Sequence, residues 1–327
     1  MQLSAIVHPF SETTPSESLY ATSMPEAWVR GAMLIRCNSL LRGHSAVRLS
    51  VIQSLAELLR QNLIPLVPLR GSISASGDLC PLSYIAAALE GNPDVWVWTG
   101  DKKARRLVRS NEALLEAGIK PVSFEAKEGL GLLNGTAVSC SVASLALYEA
   151  NHLAVMSQVL TAMAVEALGG TPESFDAFIA EVRPHKGQIE ASRNIRSFLR
   201  GSRLVTSHDS SGKDNEGDLR QDRYATRTAA QWIGPQLEDL TLAHKQLEVE
   251  LNSTTDNPLI DTARGKVLHG GNFQAAAVTS STEKTRSAIQ MIGKMLFAQC
   301  SELLNQNLSN GLPPRNSTLK PSACDSL

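Results

Sequence analysis

The sequence predicts a mainly α-helical protein built on long helices. Apolar residues recur at three- and four-residue steps through several segments of the 327-residue chain, which is the period of one buried helical face. The longest apolar segment, 136–168, contains no proline and ends at Gly169-Gly170, a preferred helix stop. β-branched residues form no alternating run long enough to demand a sheet.

The N-terminal third is predicted to begin with a loop and to continue as two helices. The first twenty or so residues are rich in Ser, Thr, Pro and Glu without a sustained period. Ser23 and Pro25 are start signals for a helix through 28–41, because proline fits a first helical turn. A second helix follows Gly43. Its apolar stripe consists of Val47, Val51, Ile52, Leu55, Leu58 and Leu59.

Further along, loops and long helices alternate. The prolines and glycines of 64–78 predict a loop, and the polar run between Arg203 and Leu219 predicts a surface loop. A helical pattern also runs through 282–308. Between these segments, a further helical stripe is formed by Leu237, Leu240, Ala243, Leu247 and Leu251.

Composition narrows the class of protein. Lys and Arg total 31 and Asp and Glu total 32, so the net charge is −1. We therefore do not expect the protein to bind nucleic acid or an anionic membrane surface. A hydrophobic content of 43% argues against a disordered chain. The five cysteines are scattered without a CxxC pair, which indicates reduced, cytoplasmic thiols and no structural metal site.

One segment requires a membrane test. Residues 129–148 carry no charge and are nearly long enough to span a bilayer. Polar side chains such as Asn134 and Thr136 interrupt the segment, so we expect a buried helix of a soluble protein rather than a membrane span. The N-terminus shows no secretory or transit pattern.

The most unusual local feature is Ala75-Ser76-Gly77-Asp78. Taken alone, it is typical of a helix N-terminus, with Ser76 or Asp78 as the cap and Pro81 in the first turn. Its flanks change this interpretation. They resemble the aromatic amino acid and histidine ammonia-lyases, most closely the fungal phenylalanine ammonia-lyases. The motifs are RGAMLIRCNSLLRGHSAVR, VPLRGSISASGDLCPLSYIAAALEG, KEGLGLLNGTAVS, LRQDRYATRTAAQWIGP, STTDNPLID and HGGNFQAAAV.

The resemblance covers about 28–313 in colinear order and implies a prosthetic group. In that family an Ala-Ser-Gly triad cyclises by itself into 4-methylidene-imidazol-5-one, and the matching residues are Ala75, Ser76 and Gly77. The Gly77 amide nitrogen would attack the Ala75 carbonyl carbon, and Ser76 would lose water. The product is an electrophile, so no external cofactor and no metal are expected. The implied reaction converts L-phenylalanine into trans-cinnamate and ammonia, as in phenylalanine catabolism or phenylpropanoid metabolism.

The resemblance also assigns two polar substrate-binding residues. Arg227 would bind the substrate carboxylate, since a guanidinium fork holds a carboxylate bidentately. Asn134 would lie near that carboxylate and the prosthetic ring.

Four further positions match the family's site. Tyr224, a candidate catalytic residue, and Gln221 match positions beside the amino group and the electrophile. Asn257 matches a residue that supports the ring, and Phe273 matches an aromatic side chain that lines the site. These assignments depend on the resemblance, because a lone Tyr or Phe is more often a core residue.

The resemblance implies a long-helix bundle of the ammonia-lyase type, incomplete at both ends. We divide the chain into a prosthetic-group region, 1–130, and a long-helix bundle region, 131–327, of one lyase domain that forms a homotetramer in the family. The family's base tyrosine lies upstream of the matched region, so we expect low turnover. A tyrosine or histidine ammonia-lyase, an aromatic aminomutase and an impaired, truncated pseudoenzyme remain alternatives.

Overall fold

The computed structural model describes residues 22–73, 78–101, 104–206 and 221–312. The chain divides into two compact units. Unit 1 comprises Met1–Ala146 and His244–Ser281, and unit 2 comprises Leu147–Ala243 and Thr282–Leu327. The unit boundaries fall within the three longest helices rather than at residue 130, so the two sequence-based regions stay a prediction.

Helices dominate both units, which confirms the expected mainly α class. The helices are α1 (Glu26–Leu41), α2 (Leu49–Arg60), α3 (Cys80–Leu89), α4 (Ser110–Glu116), α5 (Glu128–Leu133), α6 (Ala137–Ala167), α7 (Ala177–Glu181), α8 (Lys186–Phe198), α9 (Tyr224–Arg227), α10 (Ala229–Leu251) and α11 (Ala276–Leu304), with a 3₁₀ turn at Pro172–Phe175. The long helix predicted over 136–168 corresponds to α6. The helix predicted over 282–308 corresponds to α11, which begins at Ala276 and ends at Leu304, more than a turn and about one turn before the predicted limits.

In unit 1, α1 and α2 form as their sequence signals predict. Pro25 directly precedes α1 and occupies its N-cap position. On α2 the predicted stripe is buried at Val51, Ile52, Leu55 and Leu58, so this face of the helix contributes to the core through the hydrophobic effect.

Two small antiparallel sheets were not predicted. The first has the order β1 (Ile64–Pro65), β2 (Trp96–Thr99) and β3 (Arg106–Arg109), and the second pairs β4 (Leu259–Asp261) with β5 (Lys266–Leu268). Their strands have two to four residues, too few for an alternating pattern to be detected. The loop prediction for 64–78 is therefore wrong at Ile64 and Pro65.

The segment before α3 is partly described. Pro81 lies in the first turn of α3, as predicted, but Leu79 rather than the predicted Asp78 occupies the N-cap position. The Ser72 hydroxyl donates a hydrogen bond to the Asp78 carboxylate. Ser76, the other predicted cap, lies outside the described residues.

Unit 2 has its own core, in which α8 and α10 approach very closely. A Cβ at Gly187 would lie 1.9 Å from the carbonyl oxygen of Gly234, so only glycine allows this contact. The buried cluster around the contact includes Ala162, Val165, Phe175, Ala191, Ile195, Leu199, Ala229, Ala230, Ile233 and Met295. Of the predicted surface loop at 203–219, residues 207–219 lie outside the described part of the chain.

The apolar segment that includes α6 passes a membrane test by length and composition. Glu128–Ala167 is the one stretch within the described residues that could cross a bilayer, and 56% of its most apolar window is buried inside the protein. Burial of this kind is typical of a core helix, as the sequence predicts.

Candidate active site

Asn134 lies at the C-terminal end of α5, within the LNGT motif. Its backbone N–H donates to the Leu130 carbonyl oxygen at 3.0 Å, and its side chain is buried. The side-chain nitrogen Nδ2 lies 3.3 Å from Asp256 Oδ1 and 3.3 Å from the Asn257 carbonyl oxygen. The structure thus joins Asn134 and Asn257, two sequence-predicted residues that are 123 positions apart.

Asp256 is fully buried behind this contact. Lys127 Nζ donates to Asp256 Oδ2 at 2.7 Å and to the Ser45 carbonyl oxygen at 2.8 Å. The Asn257 backbone N–H donates to Asp256 Oδ1 at 2.7 Å. Buried carboxylates require such partners, because an unpaired buried charge is very costly.

A second cation, the fully buried Arg36, lies near this carboxylate. The Arg36 guanidinium on α1 donates to the Gly131 carbonyl oxygen, and to the Thr255 carbonyl oxygen at 3.2 Å. Burial lowers the pKa of Arg36 to about 10, and the negative charge of Asp256 partly opposes that shift. Two cations, Arg36 and Lys127, therefore lie near one carboxylate in this part of unit 1.

Gly135 lets the two motifs approach. A Cβ at this position would lie 2.3 Å from the Thr255 carbonyl oxygen and 2.6 Å from Arg36 Nη1. The Asn-Gly pair in LNGT is thus a point of close backbone contact with the TTDN segment. The following residue, Thr136, donates its hydroxyl to Glu250 Oε1 at 2.6 Å.

Asn257 and Phe273 lie beyond this contact. Asn257 Oδ1 accepts a hydrogen bond from the Gly270 backbone N–H at 2.7 Å, which connects the TTDN motif to the GGNFQ motif. Phe273 is half-buried in the turn that precedes α11.

Unit 2 contains the other predicted group, Gln221, Tyr224 and Arg227. Arg227 closes the four-residue helix α9, and its Nη1 donates to the Gln221 side-chain oxygen. Tyr224 is 66% exposed at the start of the same helix. The structure therefore brings Gln221 and Arg227 into contact.

Asp222 adds a half-buried carboxylate to this group. Its Oδ2 accepts from the Thr171 backbone N–H at 2.9 Å. Burial raises the pKa of Asp222, and Glu173 raises it further, whereas the Thr171 N–H and the positive charge of Arg227 oppose the shift. A cavity of about 170 Å³ is lined by Gln221, Asp222 and other residues of unit 2.

The predicted prosthetic triad, Ala75, Ser76 and Gly77, lies outside the described residues. On its C-terminal side, Leu79 lines a cavity of about 790 Å³ in unit 1. Lys127 and Leu133 line the same cavity, so an opening in unit 1 lies between the flank of the triad and α5. The described residues form no group of three or more His, Cys, Asp or Glu side chains that could hold a metal ion.

Arg36, Lys127 and Asp256 were not among the residues predicted from the sequence. Charged residues are almost never fully buried unless they are paired, but the sequence alone does not show that Arg36 and Asp256 are buried.

Comparisons with known proteins agree on one family. The family model described as aromatic amino acid lyase matches residues 17–323. Phenylalanine ammonia-lyase lenB of Aspergillus lentulus is 59% identical over 307 residues, which is 93% of this chain and 42% of that protein. Phenylalanine ammonia-lyase 2 of Pleurotus ostreatus is 55% identical over 312 residues, 94% of this chain and 42% of that protein.

A solved structure extends the similarity to the fold. The crystal structure of phenylalanine ammonia-lyase from the yeast Rhodosporidium toruloides matches with a TM-score of 0.88 and 50% identity, over 95% of this chain and 47% of that one. The chain thus spans less than half the length of these relatives. The family match, the identity to the two fungal relatives and the shared helical fold show that this chain belongs to the aromatic amino acid lyase family.

Proposed function

We propose that the chain catalyses the non-oxidative deamination of L-phenylalanine to trans-cinnamate and ammonia. One observation carries this proposal: relatives named phenylalanine ammonia-lyase are 55–59% identical to it over more than nine-tenths of its length. The enzyme class is therefore a carbon–nitrogen lyase. The same identity favours phenylalanine over tyrosine or histidine as the substrate.

The prosthetic group would be 4-methylidene-imidazol-5-one formed from Ala75, Ser76 and Gly77. The flanking residues fit such a group, because the hydrogen bond from Ser72 to Asp78 brings together the two ends of the segment that contains the triad. When formed, the group supplies an electrophile that makes the substrate amine a better leaving group.

In unit 2, Arg227 would bind the substrate carboxylate. The hydrogen bond from Nη1 to Gln221 holds the guanidinium in one orientation, and a fixed guanidinium loses less conformational entropy when it binds a carboxylate. Tyr224 lies in the same short helix and is exposed, so its phenol is accessible to exchange a proton near the amino group.

In unit 1, Asn134 would contact the substrate carboxylate or the prosthetic ring, and Asn257 would support the ring. The Asn134 carboxamide is held by Asp256 and the Asn257 carbonyl oxygen. Phe273, half-buried in its turn, would contribute apolar surface for an aromatic side chain.

The active assembly would be a homotetramer in the cytoplasm. Large apolar side chains on the unit 2 part of α6 are exposed, including Tyr148, Val155, Met156 and Met163, and exposed apolar surface of this extent favours association. The four cysteines among the described residues are free thiols, in keeping with a reducing compartment.

The direct test is product formation. The purified chain is incubated with L-phenylalanine, and trans-cinnamate is followed by its ultraviolet absorbance, with L-tyrosine and L-histidine in parallel. We expect cinnamate from phenylalanine and none above background from a Ser76→Ala variant. Formation of β-phenylalanine would indicate an aminomutase, and no product from a folded chain would indicate a pseudoenzyme. Either result would overturn the proposal.

A further inference from the structure

Three hydrogen-bond donors hold the Asp256 carboxylate. Its carboxylate accepts from Lys127 Nζ at 2.7 Å, from the Asn257 backbone N–H at 2.7 Å and from Asn134 Nδ2 at 3.3 Å. Lys127 is itself fixed by a second hydrogen bond, to the Ser45 carbonyl oxygen. The carboxylate is fully buried, so its position follows from these contacts rather than from solvent.

This arrangement determines which end of the Asn134 carboxamide faces Asp256. The two oxygens near Nδ2 belong to a carboxylate and to a backbone carbonyl, and both groups only accept hydrogen bonds. If the carboxamide rotated by half a turn, its own oxygen would face two other oxygens with no proton between them. The contacts therefore favour one orientation, with the nitrogen toward Asp256.

We propose that Asp256 is a positioning residue that fixes the Asn134 carboxamide for ligand binding, with Lys127 as its counter-ion. This inference rests on the proposed function, in which Asn134 contacts the substrate carboxylate or the ring. Asp256 itself touches no substrate. Its effect is to present Asn134 in one orientation before the ligand arrives, which lowers the entropic cost of binding.

A merely structural role for Asp256 would give a different result from a positioning role. Loss of a structural contact lowers the fraction of folded, competent protein but leaves the affinity of the remaining molecules unchanged. Loss of positioning lowers the affinity of every folded molecule. A titration that measures stoichiometry and Kd separately distinguishes the two roles.

The experiment is a calorimetric titration of the full chain with trans-cinnamate, which needs no turnover. For Asp256→Asn, in which the new carboxamide can pair with Asn134 in either orientation, we expect Kd to rise about 10- to 100-fold with unchanged stoichiometry. Glu128→Gln is the matched control, because it makes the same change at another buried carboxylate of unit 1 that does not contact Asn134. An Asp256→Asn affinity equal to that of Glu128→Gln would overturn the inference.

If Asp256→Asn does not fold, a second measurement, made on the unsubstituted chain, still tests the proposal. In a neutron structure of the unsubstituted chain grown in heavy water, deuterium should appear on the Asn134 side-chain atom that faces Asp256. A bare atom there would contradict the proposal. A chain that neither binds trans-cinnamate nor forms it would defeat the proposed function, whereas the neutron density would still decide the orientation of Asn134.

Discussion

The Glu128 carboxylate holds both the side chain and the backbone of Arg48. Glu128 Oε2 lies 2.7 Å from Arg48 Nη2, and Oε1 accepts from Arg48 Nε at 2.8 Å and from its backbone N–H at 2.9 Å. Arg48 occupies the N-cap position of α2, and Glu128 begins α5. A single buried carboxylate thus connects the starts of two helices in unit 1.

The ion pair of Glu128 and Arg48 predicts that the folded chain loses stability in acid. Hydrogen bonds from Arg48 lower the pKa of Glu128 from 4.5 to about 2, although burial opposes the shift. Because the folded-state pKa is depressed, the stabilisation is fully present above the ordinary pKa and is lost as the pH falls from about 4.5 towards 2. We expect the urea midpoint of the chain to fall across this window, and to fall less steeply in Glu128→Gln.

The control for this experiment is Glu116→Gln. Glu116 pairs with Arg106 at the surface, where both side chains are about half exposed, and exposed pairs contribute little to stability. The urea midpoint of Glu116→Gln should therefore depend on pH in the same way as that of the unsubstituted chain. If the urea midpoints of Glu128→Gln and of the unsubstituted chain fall equally steeply in acid, a group other than Glu128 causes the acid sensitivity.

Gly135→Ala should strongly destabilise unit 1. The new Cβ would lie 2.3 Å from the Thr255 carbonyl oxygen. Overpacking of this kind lowers the free energy of unfolding by about 1–3 kcal/mol or more. Gly129→Ala is the control, because nothing lies within 4 Å of its Cβ and alanine favours a helix by up to about 1 kcal/mol. Urea unfolding followed by circular dichroism compares the two variants. Equal midpoints would mean that the TTDN segment moves away at little cost.

The long helices could be predicted from sequence because each has its own local signal. The stripe on α2 and the glycine stop after α6 act within a few residues of the chain. The strands could not be predicted. β1 has only two residues, and Ile64 pairs with Trp98 across 34 positions, so nothing local specifies it.

In the candidate site, too, the sequence revealed what a local motif specifies and missed what depends on contacts between distant residues. The resemblance selected Asn134 and Asn257, and the structure places them in hydrogen-bond contact. It did not select Asp256, which lies beside Asn257, because nothing in the motif distinguishes a buried charge from an exposed one. The contact of Asp256 with Lys127 joins residues 129 positions apart, and only tertiary packing reveals it.

In unit 2, Gly187→Ala should disrupt the contact between α8 and α10. Its Cβ would lie 1.9 Å from the Gly234 carbonyl oxygen, a backbone atom that cannot rotate away as a side chain can. Gly293→Ala, in α11 with nothing within 4 Å, should be neutral or slightly stabilising. Thermal unfolding monitored by circular dichroism is the measurement. A Gly187→Ala chain that melts with the Gly293→Ala control would show that α8 moves away without penalty.

Intact mass tests the prosthetic group independently of activity. Cyclisation and dehydration of Ala75-Ser76-Gly77 remove two molecules of water, so the folded chain should be lighter than its sequence by that amount. Ser76→Ala has no hydroxyl to lose and should not form the methylidene group. Ser72→Ala, outside the triad, is a useful comparison because it removes the hydrogen bond to Asp78 while leaving the reacting atoms in place. A folded chain with its full encoded mass would argue against the group.

Arg227→Ala should weaken trans-cinnamate binding by about 10- to 150-fold, the equivalent of the 1.5–3 kcal/mol typical of a hydrogen bond to a charged group. Gln221→Ala should have a smaller effect, because it removes only the acceptor that orients the guanidinium. Arg227→Lys should restore part of the affinity, since an ammonium keeps the charge but not the bidentate fork. Arg193→Ala, at an exposed position of α8 in the same unit, is the control for lost positive charge. Calorimetric titration gives the four affinities. If Arg227→Ala and Arg193→Ala weaken binding equally, then Arg227 acts only through the overall charge of the unit and does not bind the carboxylate.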